Sequence, residues 1–439
     1  MKPNPSMDRR AFLRRVGLVA AATGLPPQFL LRPSIANAGA LDAQATFLLL
    51  SVSSDGDPLN ANLPGSYVPD AMNNPLLPAT EVSVGSQRWL AGSPWADASL
   101  DRFRSRTCFF HHVCHTAAHT EMAAVLGLHG AVASANGRGF EQLPSMIAQE
   151  NAAALGTLQQ EPIALGSERI SFGGRPLASI RPQEVAALFL GSPAGGQAAS
   201  LESLAELRDA AIDDLYRRED FGAPQRAFLD RYAQSRNTAR DIGLQIRAAL
   251  AGLAAPGSAD ANGPRDQILT ALALFRLRLT PVVTIKVPFG GDNHADDGLE
   301  HEAEETTAGA AHLAFLDEQL HSGPDPLAAK VTFANLNTFG RSLYNSPDGR
   351  AHNGNHHVMM ISGPAVRGCV VGGVQRQDGD FSALPINSIT GAGGEVDADI
   401  EVGDTMAAAG HTLAAACGVA EVRRVERIRA GFAVFDATL

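Results

Sequence analysis

Short apolar runs alternate with longer stretches of helical periodicity along this chain. Runs rich in β-branched, aromatic and leucine residues occur at residues 46–52, 108–113, 282–287, 327–336 and 358–362. Most of them end at Gly, Pro, Asp or Asn, and runs of this length with such boundaries predict buried strands. Between them, apolar residues recur at i, i+3, i+4 and i+7, as in amphipathic helices. This succession predicts an α/β fold with a mostly parallel central sheet flanked by helices.

The longest helical stretch carries none of the chain's candidate chemistry. Residues 201–219, 223–253 and 266–279 have the pattern of amphipathic helices, and no histidine occurs between Gly130 and Gly291. We therefore interpret residues 145–280 as a mostly helical insertion or cap within a single α/β domain at residues 39–439. Further helices are predicted at residues 308–320, 405–417 and 422–428.

The N-terminal segment has the features of an export signal. MDRRAFLRR at residues 7–15 places twin arginines before Ala-Phe-Leu, an apolar stretch follows, and Ala36-Asn37-Ala38 offers a cleavage site. The segment resembles a twin-arginine signal peptide, predicted at residues 1–38. Its apolar stretch is too short for a membrane span. We expect the twin-arginine translocation machinery as a partner, and a mature product without a stable membrane span that is periplasmic or secreted.

Composition narrows the class of protein further. The chain has 439 residues, of which 45% are hydrophobic and 18% charged, and a net charge of −11. These values predict a large globular protein, and the acidic balance argues against nucleic acid as a partner. The four cysteines form no Cys-x-x-Cys pair, which argues against a cysteine-based zinc site. Cys108 and Cys114 are close enough in sequence to pair in an oxidising compartment, and equally they can be buried free thiols.

Polar residues follow several of the predicted strands. They are Asp55 and Asp57, then His115, Thr116 and His119, then Asp292 and His294, and finally Arg341, His352, His356 and His357. Because ligand sites in parallel sheets lie beyond the carboxyl ends of the strands, these loops are expected to gather at one edge. Carboxylates and imidazoles together suit a divalent metal, and an arginine suits a bound oxyanion.

The histidine-rich stretch after the second strand admits two interpretations. The stretch from Thr116 onward is predicted to be a helix. On a helix, His115 and His119 share one face and could chelate one metal or straddle an anion. Thr116 would then lie at the helix N-terminus, where a hydroxyl nucleophile is well placed. The alternative is an N-cap threonine among core or surface histidines. Asp57, taken alone, is a turn residue more often than a ligand.

Four blocks of sequence, in order, resemble a known family. FLLLSVSSDGDPLN, VVTIKVPFGGDNH, VTFANLNTFGR and GRAHNGNHHVMMISGPAVRG are similar to successive blocks of domain-of-unknown-function family 1501. Members of that family are exported and are similar in fold to the alkaline phosphatase and sulfatase superfamily. The resemblance implies an alkaline-phosphatase-like fold, one or two divalent metals (zinc, manganese, iron or calcium) and a small phosphate or sulfate ester as substrate.

The resemblance also assigns roles to residues. Asp57, Asp292, His294 and His352 match positions that bind metal, and His356 is an extra histidine that could replace a missing carboxylate. For catalysis, the candidates are Thr116 as nucleophile, Arg341 as the group holding the oxyanion, and His119.

Three departures from the family pattern open a second hypothesis. Ala351, Thr338 and Ala118 stand where the family has Asp, Glu and Ser. A lost carboxylate weakens a metal site, because ligand number and charge set its affinity. The sequence therefore supports two hypotheses: a metal-dependent phosphatase- or sulfatase-like hydrolase, and a non-catalytic binding or scaffold protein on the same fold.

Overall fold

The computed structural model describes residues 45–128, 141–166, 168–190, 250–344, 349–377, 379–394, 396–428 and 433–434. The predicted signal peptide at residues 1–38 and the predicted helices at residues 201–219 and 223–253 lie outside these ranges, apart from residues 250–253. The chain divides into two compact units: residues 1–32 with 180–273, and residues 33–179 with 274–439. All candidate site residues belong to the second unit.

The strands and helices have the following bounds. The strands are β1 Phe47–Ser53, β2 Ala79–Val84, β3 Gln87–Gly92, β4 Thr107–His112, β5 Ile163–Ala164, β6 Ser171–Phe172, β7 Arg175–Pro176, β8 Val282–Ile285, β9 Val331–Asn337, β10 Gly340–Arg341, β11 His352–Asn353, β12 His357–Ser362, β13 Cys369–Val371, β14 Val374–Gln377 and β15 Asp380–Ala383. The helices are α1 Leu59–Asn62, α2 Asp101–Ser105, α3 Met122–Val125, α4 Leu143–Leu155, α5 Pro182–Leu190, α6 Pro264–Arg276, α7 Glu300–His321, α8 Thr405–Ala416 and α9 Glu421–Arg427. Among these described helices, none has both the length and the apolar character needed to cross a bilayer.

A seven-stranded sheet in the order β13-β4-β12-β9-β1-β8-β5 forms the centre of the second unit. Four of its neighbouring pairs are parallel, and only β12 runs antiparallel to its neighbours β4 and β9. The predicted α/β class with a mostly parallel sheet is therefore confirmed. The central strand β1 is buried along its whole length, as expected for a parallel strand with both faces covered.

Helices cover the sheet on one face, and aromatic side chains pack on the other. On the first face, Leu48 and Leu50 of β1 belong to a cluster with Ile147 of α4 and Leu413 of α8. On the second, Phe333 of β9 meets Phe103 of α2 at 6.1 Å between ring centroids, and Trp95 packs edge-to-face on Phe109 of β4. The period of two along each strand thus places successive apolar residues in two separate cores.

The strand directions decide where the candidate residues lie. The carboxyl ends of β1, β4, β8 and β9 open at the same edge of the sheet, as parallel strands do. Because β12 runs the other way, the segment that precedes it lies at that edge too. A short β10–β11 pair then places His352 opposite Arg341. Five segments of the chain therefore meet at one edge.

Two sequence predictions need correction. The helix predicted from Thr116 is wrong: residues 113–118 are not helical, and only a 3₁₀ turn at His119–Glu121 and the short α3 follow. The backbone N–H groups of Cys114 and His115 both donate to the carbonyl of Gly354, and His115 has a φ of +61°. Within the predicted insertion at residues 145–280, β5 pairs with β8 as part of the central sheet, so this stretch is not helical throughout.

Candidate metal site

Three predicted site residues come together at the loop edge of the sheet. His119 follows β4, Asp292 follows β8, and His352 opens β11; their ligand atoms all lie within 4.8 Å of one another. The Nε2 atom of His119 is 3.4 Å from Oδ2 of Asp292, and that of His352 is 3.7 Å from Oδ1. These separations are those of ligands that surround a common ion rather than of direct hydrogen bonds.

Backbone carbonyls determine which nitrogen each imidazole presents. Nδ1 of His119 donates to the carbonyl of Ser54 at 2.6 Å, and Nδ1 of His352 donates to the carbonyl of Ala117 at 2.9 Å. Since a carbonyl only accepts, Nδ1 carries a proton in both rings, and Nε2 is the nitrogen that can present a lone pair. Two lone pairs and a carboxylate thus converge, as in metal sites whose histidines are oriented by an outer acceptor.

The pKa shifts of Asp292 and His352 favour the ligating form of each group. Burial alone would raise the pKa of Asp292, but hydrogen bonds from His294 and Arg341 and the positive charge of Arg341 outweigh it and lower the pKa to about 2. Partial burial lowers the pKa of His352 below its ordinary value. At neutral pH the set therefore offers one carboxylate and a neutral His352 imidazole.

Phe339 holds the two imidazoles in place. Its ring stacks on His352, with centroids 4.3 Å apart, and meets His119 edge-on at 4.9 Å. The two imidazoles lie at right angles to each other, 4.7 Å apart. Phe339 is the second residue beyond β9. An apolar residue before Gly-Arg gives no sequence signal that it packs on two site histidines.

Gly56 is the residue that leaves room for this ring. It has a φ of +70°, and a Cβ atom there would overlap the Phe339 ring. Gly56→Ala should therefore shift Phe339 and lower metal affinity by about 10- to 100-fold, the usual cost of disturbing an outer shell. Metal titration of the apoprotein measures this. Gly323→Ala is the matched control, since Gly323 has a φ of +85° with open space around it. Equal affinities in the two variants would contradict the role of Phe339.

Arg341 is committed to the protein and has no exposed side-chain surface. Its guanidinium donates to the carbonyls of Gly56 and Asp55 at 2.5 Å each, to that of Arg350 at 3.2 Å and to Oδ1 of Asp292 at 2.7 Å. A guanidinium so engaged has little left for a substrate. The predicted oxyanion-holding role is thus replaced by a positioning role: Arg341 fixes Asp292 and the turn after β1.

His294 lies beside the three converging residues. Its Nδ1 donates to Oδ1 of Asp292 at 2.7 Å, its ring centroid is 5.9 Å from that of His352, and 58% of its side chain is exposed. The hydrogen bond leaves Nε2 as the nitrogen available to a ligand or a proton. His294 is therefore placed at the open rim, as a further ligand or as an acid–base group.

Asp57 and Thr116 occupy structural positions. Oδ1 of Asp57 accepts the backbone N–H groups of Phe289 and Gly291, each at 2.9 Å, and burial raises its pKa. It thus shapes the turn that presents Asp292 and lies outside the converging set. The Thr116 hydroxyl is nearly buried and accepts from the backbone N–H of Ala118 at 3.1 Å. Without a helix starting at this residue, the nucleophile role inferred from a helix N-terminus loses its basis.

His356 belongs to one of two buried hydrogen-bonded chains. Asn60 donates to His356, His356 donates to Nδ1 of His111 at 2.9 Å, and His111 donates to the carbonyl of Pro64. His356 is therefore not in the converging set, contrary to its predicted place as a metal ligand. Both of its nitrogens already have partners in the protein.

The second chain runs on the other side of the same two strands. Asn337 donates to His357, His357 to Nε2 of His112 at 3.3 Å, and His112 to the carbonyl of Val113. In the described part of the chain, His112, Cys114 and His357 also have ligand atoms within 4.8 Å of one another. Their ring nitrogens, however, are satisfied without an ion.

The rim of the site includes two polar pairs. Glu168 accepts from the backbone N–H of Ser54 at 3.0 Å and from its hydroxyl at 2.6 Å. Nζ of Lys286 lies 2.5 Å from Oδ2 of Asp55. Glu168 falls in the stretch that the sequence predicts to be an insertion, so no local pattern points to it. It supports the residue whose carbonyl orients His119.

Comparison of the chain with models of known protein families and with curated proteins found no match. The resemblance to family 1501 therefore stays a prediction.

Proposed function

We propose that this protein is an exported, metal-dependent hydrolase of a phosphate or sulfate ester, on an alkaline-phosphatase-like fold. The observation that carries the proposal is the convergence of His119 and His352 on Asp292, with both Nδ1 atoms tied to backbone carbonyls. An arrangement of this kind prepares two lone pairs and one carboxylate for a cation.

The donor set favours some metals over others. Two imidazoles and one carboxylate suit zinc, iron or manganese better than calcium, which prefers oxygen ligands throughout. When bound, such an ion supplies Lewis acidity toward the ester oxygen and lowers the pKa of water. His119, Asp292 and His352 would hold it, with His294 close enough to take part.

The remaining roles fall to His294 at the rim and to the buried Arg341. His294 donates from Nδ1 to Asp292, which leaves its exposed Nε2 to give a proton to the leaving group or to take one from water. Arg341 keeps the Asp292 carboxylate in place and ionised. With Thr116 nearly buried, water is the better candidate for the nucleophile.

The location follows from the sequence. The twin-arginine segment supports export of an already folded protein, so that metal would be loaded in the cytoplasm before passage to the periplasm or beyond. The acidic net charge of −11 favours a small-molecule substrate over nucleic acid.

A second candidate function is non-catalytic metal or ligand binding on the same fold. It is favoured by the occupied guanidinium of Arg341 and by Ala351, which stands where the family has a carboxylate. Such a protein would retain the metal but lack turnover, because Arg341 would not be available to hold the oxyanion of a substrate.

Metal analysis tests the proposal. The full chain reconstituted with zinc, iron or manganese should retain about one ion per molecule, as three-ligand sites do. His119→Ala/His352→Ala should lose it, because one carboxylate alone cannot hold the ion. His301→Ala is the control, since His301 is exposed on α7 and pairs only with Glu305 in the described residues, at 3.7 Å.

Turnover then separates the two functions. The metal-loaded protein should hydrolyse p-nitrophenyl phosphate or p-nitrophenyl sulfate, lose that activity in chelator and regain it with metal. His294→Gln should lower kcat while metal content stays unchanged. A protein that retains metal but hydrolyses neither ester would favour the binding function, and one that retains no metal in any form would refute both proposals.

A further inference from the structure

Two cysteines far apart in sequence face each other across neighbouring strands. Cys108 of β4 and Cys369 of β13 are register partners in a parallel pair. Register partners project their side chains to the same face of a sheet, with backbones about 4.8 Å apart. That separation lies within the range of Cα distances, about 4.4–6.8 Å, that disulfides bridge.

The two thiols interact and differ in exposure. Both are free, Cys108 is buried and Cys369 is partly exposed. Cys369 packs against the hydrophobic cluster that contains Cys108, and burial together with the neighbouring Cys369 thiol raises the pKa of Cys108. Cys369 is therefore the more accessible of the two residues to a reagent from solvent.

The other two cysteines lie elsewhere. Cys114 has its sulfur within 4.8 Å of the ring nitrogens of His112 and His357. It lies two residues beyond the carboxyl end of β4, and that end is itself roughly 13 Å along the extended strand from Cys108. Cys417 follows α8 and is hydrogen-bonded to Thr46 and Thr332. Of the two sequence-based possibilities for Cys108, pairing with Cys114 is thus less suited to the fold than pairing with Cys369.

We propose that Cys108 and Cys369 form a reversible disulfide that links the edge strand β13 to its neighbour β4. With oxidised glutathione as the oxidant, the Cys369 thiolate attacks one glutathione sulfur, forming a mixed disulfide and releasing one glutathione thiolate. Cys108 then loses its proton, its sulfur attacks that of Cys369, and the second glutathione thiolate leaves. Two protein thiols are oxidised to one disulfide, and one glutathione disulfide is reduced to two thiols.

The bond would tie the edge strand to elements that lead to the candidate metal site. β13 continues into the β14–β15 hairpin, whose Phe381 carbonyl accepts from Asn353 and whose Ala383 N–H donates to the carbonyl of Asn355. Asn353 is the neighbour of His352. β4 leads at its other end to His119. Cross-linking β4 to β13 therefore restricts the separation of two strands, each of which leads to a segment next to the candidate metal site.

Peptide mapping tests the proposal in the full chain. After incubation with oxidised glutathione, the intact mass should fall by about 2 Da relative to the reduced chain, as the loss of two hydrogens requires. Alkylation under denaturing conditions should then label two of the four cysteines instead of all four. The peptides that contain Cys108 and Cys369 should be linked. Dithiothreitol should reverse the change without denaturant, and the oxidised protein should melt several degrees above the reduced one, since a cross-link restricts the unfolded chain.

Variants separate this bond from other thiol chemistry. Cys369→Ser should lose the linkage, and Cys114→Ser should keep it. Mapping of the unaltered chain keeps the test valid even if a variant folds poorly. A linkage through Cys114 or Cys417, a stable glutathione adduct on Cys369 alone, or four unlinked thiols after oxidation would overturn the proposal.

Discussion

Lowering the pH from 7.5 to 5 should destabilise the protein by about 4 kcal/mol through His111 and His112 alone. Burial lowers the pKa of each of these imidazoles from 6.5 to about 4. Each ring is hydrogen-bonded to a backbone carbonyl, which raises its pKa in part, and to a second histidine. Burial outweighs the carbonyl bond and keeps both rings neutral. Among the described residues, no carboxylate acts on either ring to balance an added proton.

The direction of the effect follows from proton counting. Between pH 6.5 and pH 4 the unfolded chain binds protons at these histidines and the native chain does not, so the free energy of unfolding falls as pH falls. The stabilisation is fully present above pH 6.5. His356 and His357 act in the same direction, because burial lowers their pKa values as well. The buried Asp57, whose pKa is raised, opposes them as a single group.

Urea unfolding at intervals between pH 7.5 and pH 5 measures this slope. His111→Asn should reduce it by about 1.4 kcal/mol per pH unit, the share of one titrating group. His301→Asn, at an exposed position, should leave it unchanged. A stability that does not vary between pH 7 and pH 5, or an equal slope in His111→Asn, would show that these imidazoles are not held neutral.

Glu302→Gln should destabilise the protein by about 3–5 kcal/mol, the usual cost of removing one partner from a buried ion pair. Glu302 and Arg350 have no exposed side-chain surface and contact each other at 2.7 Å. The carboxylate also accepts from Asn62 at 3.0 Å and from Asn293 at 2.8 Å. The pair therefore joins α7 to α1, to the loop after β8 and to the segment before β11.

The same substitution should loosen the candidate metal site. Asn293 follows Asp292 directly, and the backbone N–H of Arg350 donates to the carbonyl of Asn293. An uncompensated Arg350 charge would draw this loop out of place, so metal affinity should fall together with stability. Thermal unfolding and metal titration of the same samples measure both effects.

Two further variants separate charge from packing. Glu304→Gln, on an exposed position of the same helix, should change stability by less than about 0.5 kcal/mol. Glu302→Gln/Arg350→Met should recover part of the loss, because no charge stays buried and the amide oxygen still accepts from one of the two asparagines. If Glu302→Gln cost no more than Glu304→Gln, the ion pair would not support this edge of the sheet.

The sequence by itself determined the strands and the residue types at their ends. The apolar runs that became β1, β4, β8, β9 and β12 are continuous because both faces of those strands are covered. Asp292, His119 and His352 were identifiable because polar residues after buried strands gather at one edge. These features depend on the local pattern of residues, which can be seen in the sequence without the structure.

Only the tertiary structure decided what each of those residues does. The antiparallel course of β12 brings His352 to Asp292 and places His356 against His111 instead. Backbone carbonyls from Ser54 and Ala117 select the nitrogen that each site imidazole presents. Arg341 is bound by acceptors from three separate loops, and Cys369 faces Cys108 across 260 residues of sequence. Each outcome depends on the register of strands distant in the chain, and on backbone atoms that every residue carries, so no residue pattern could signal it.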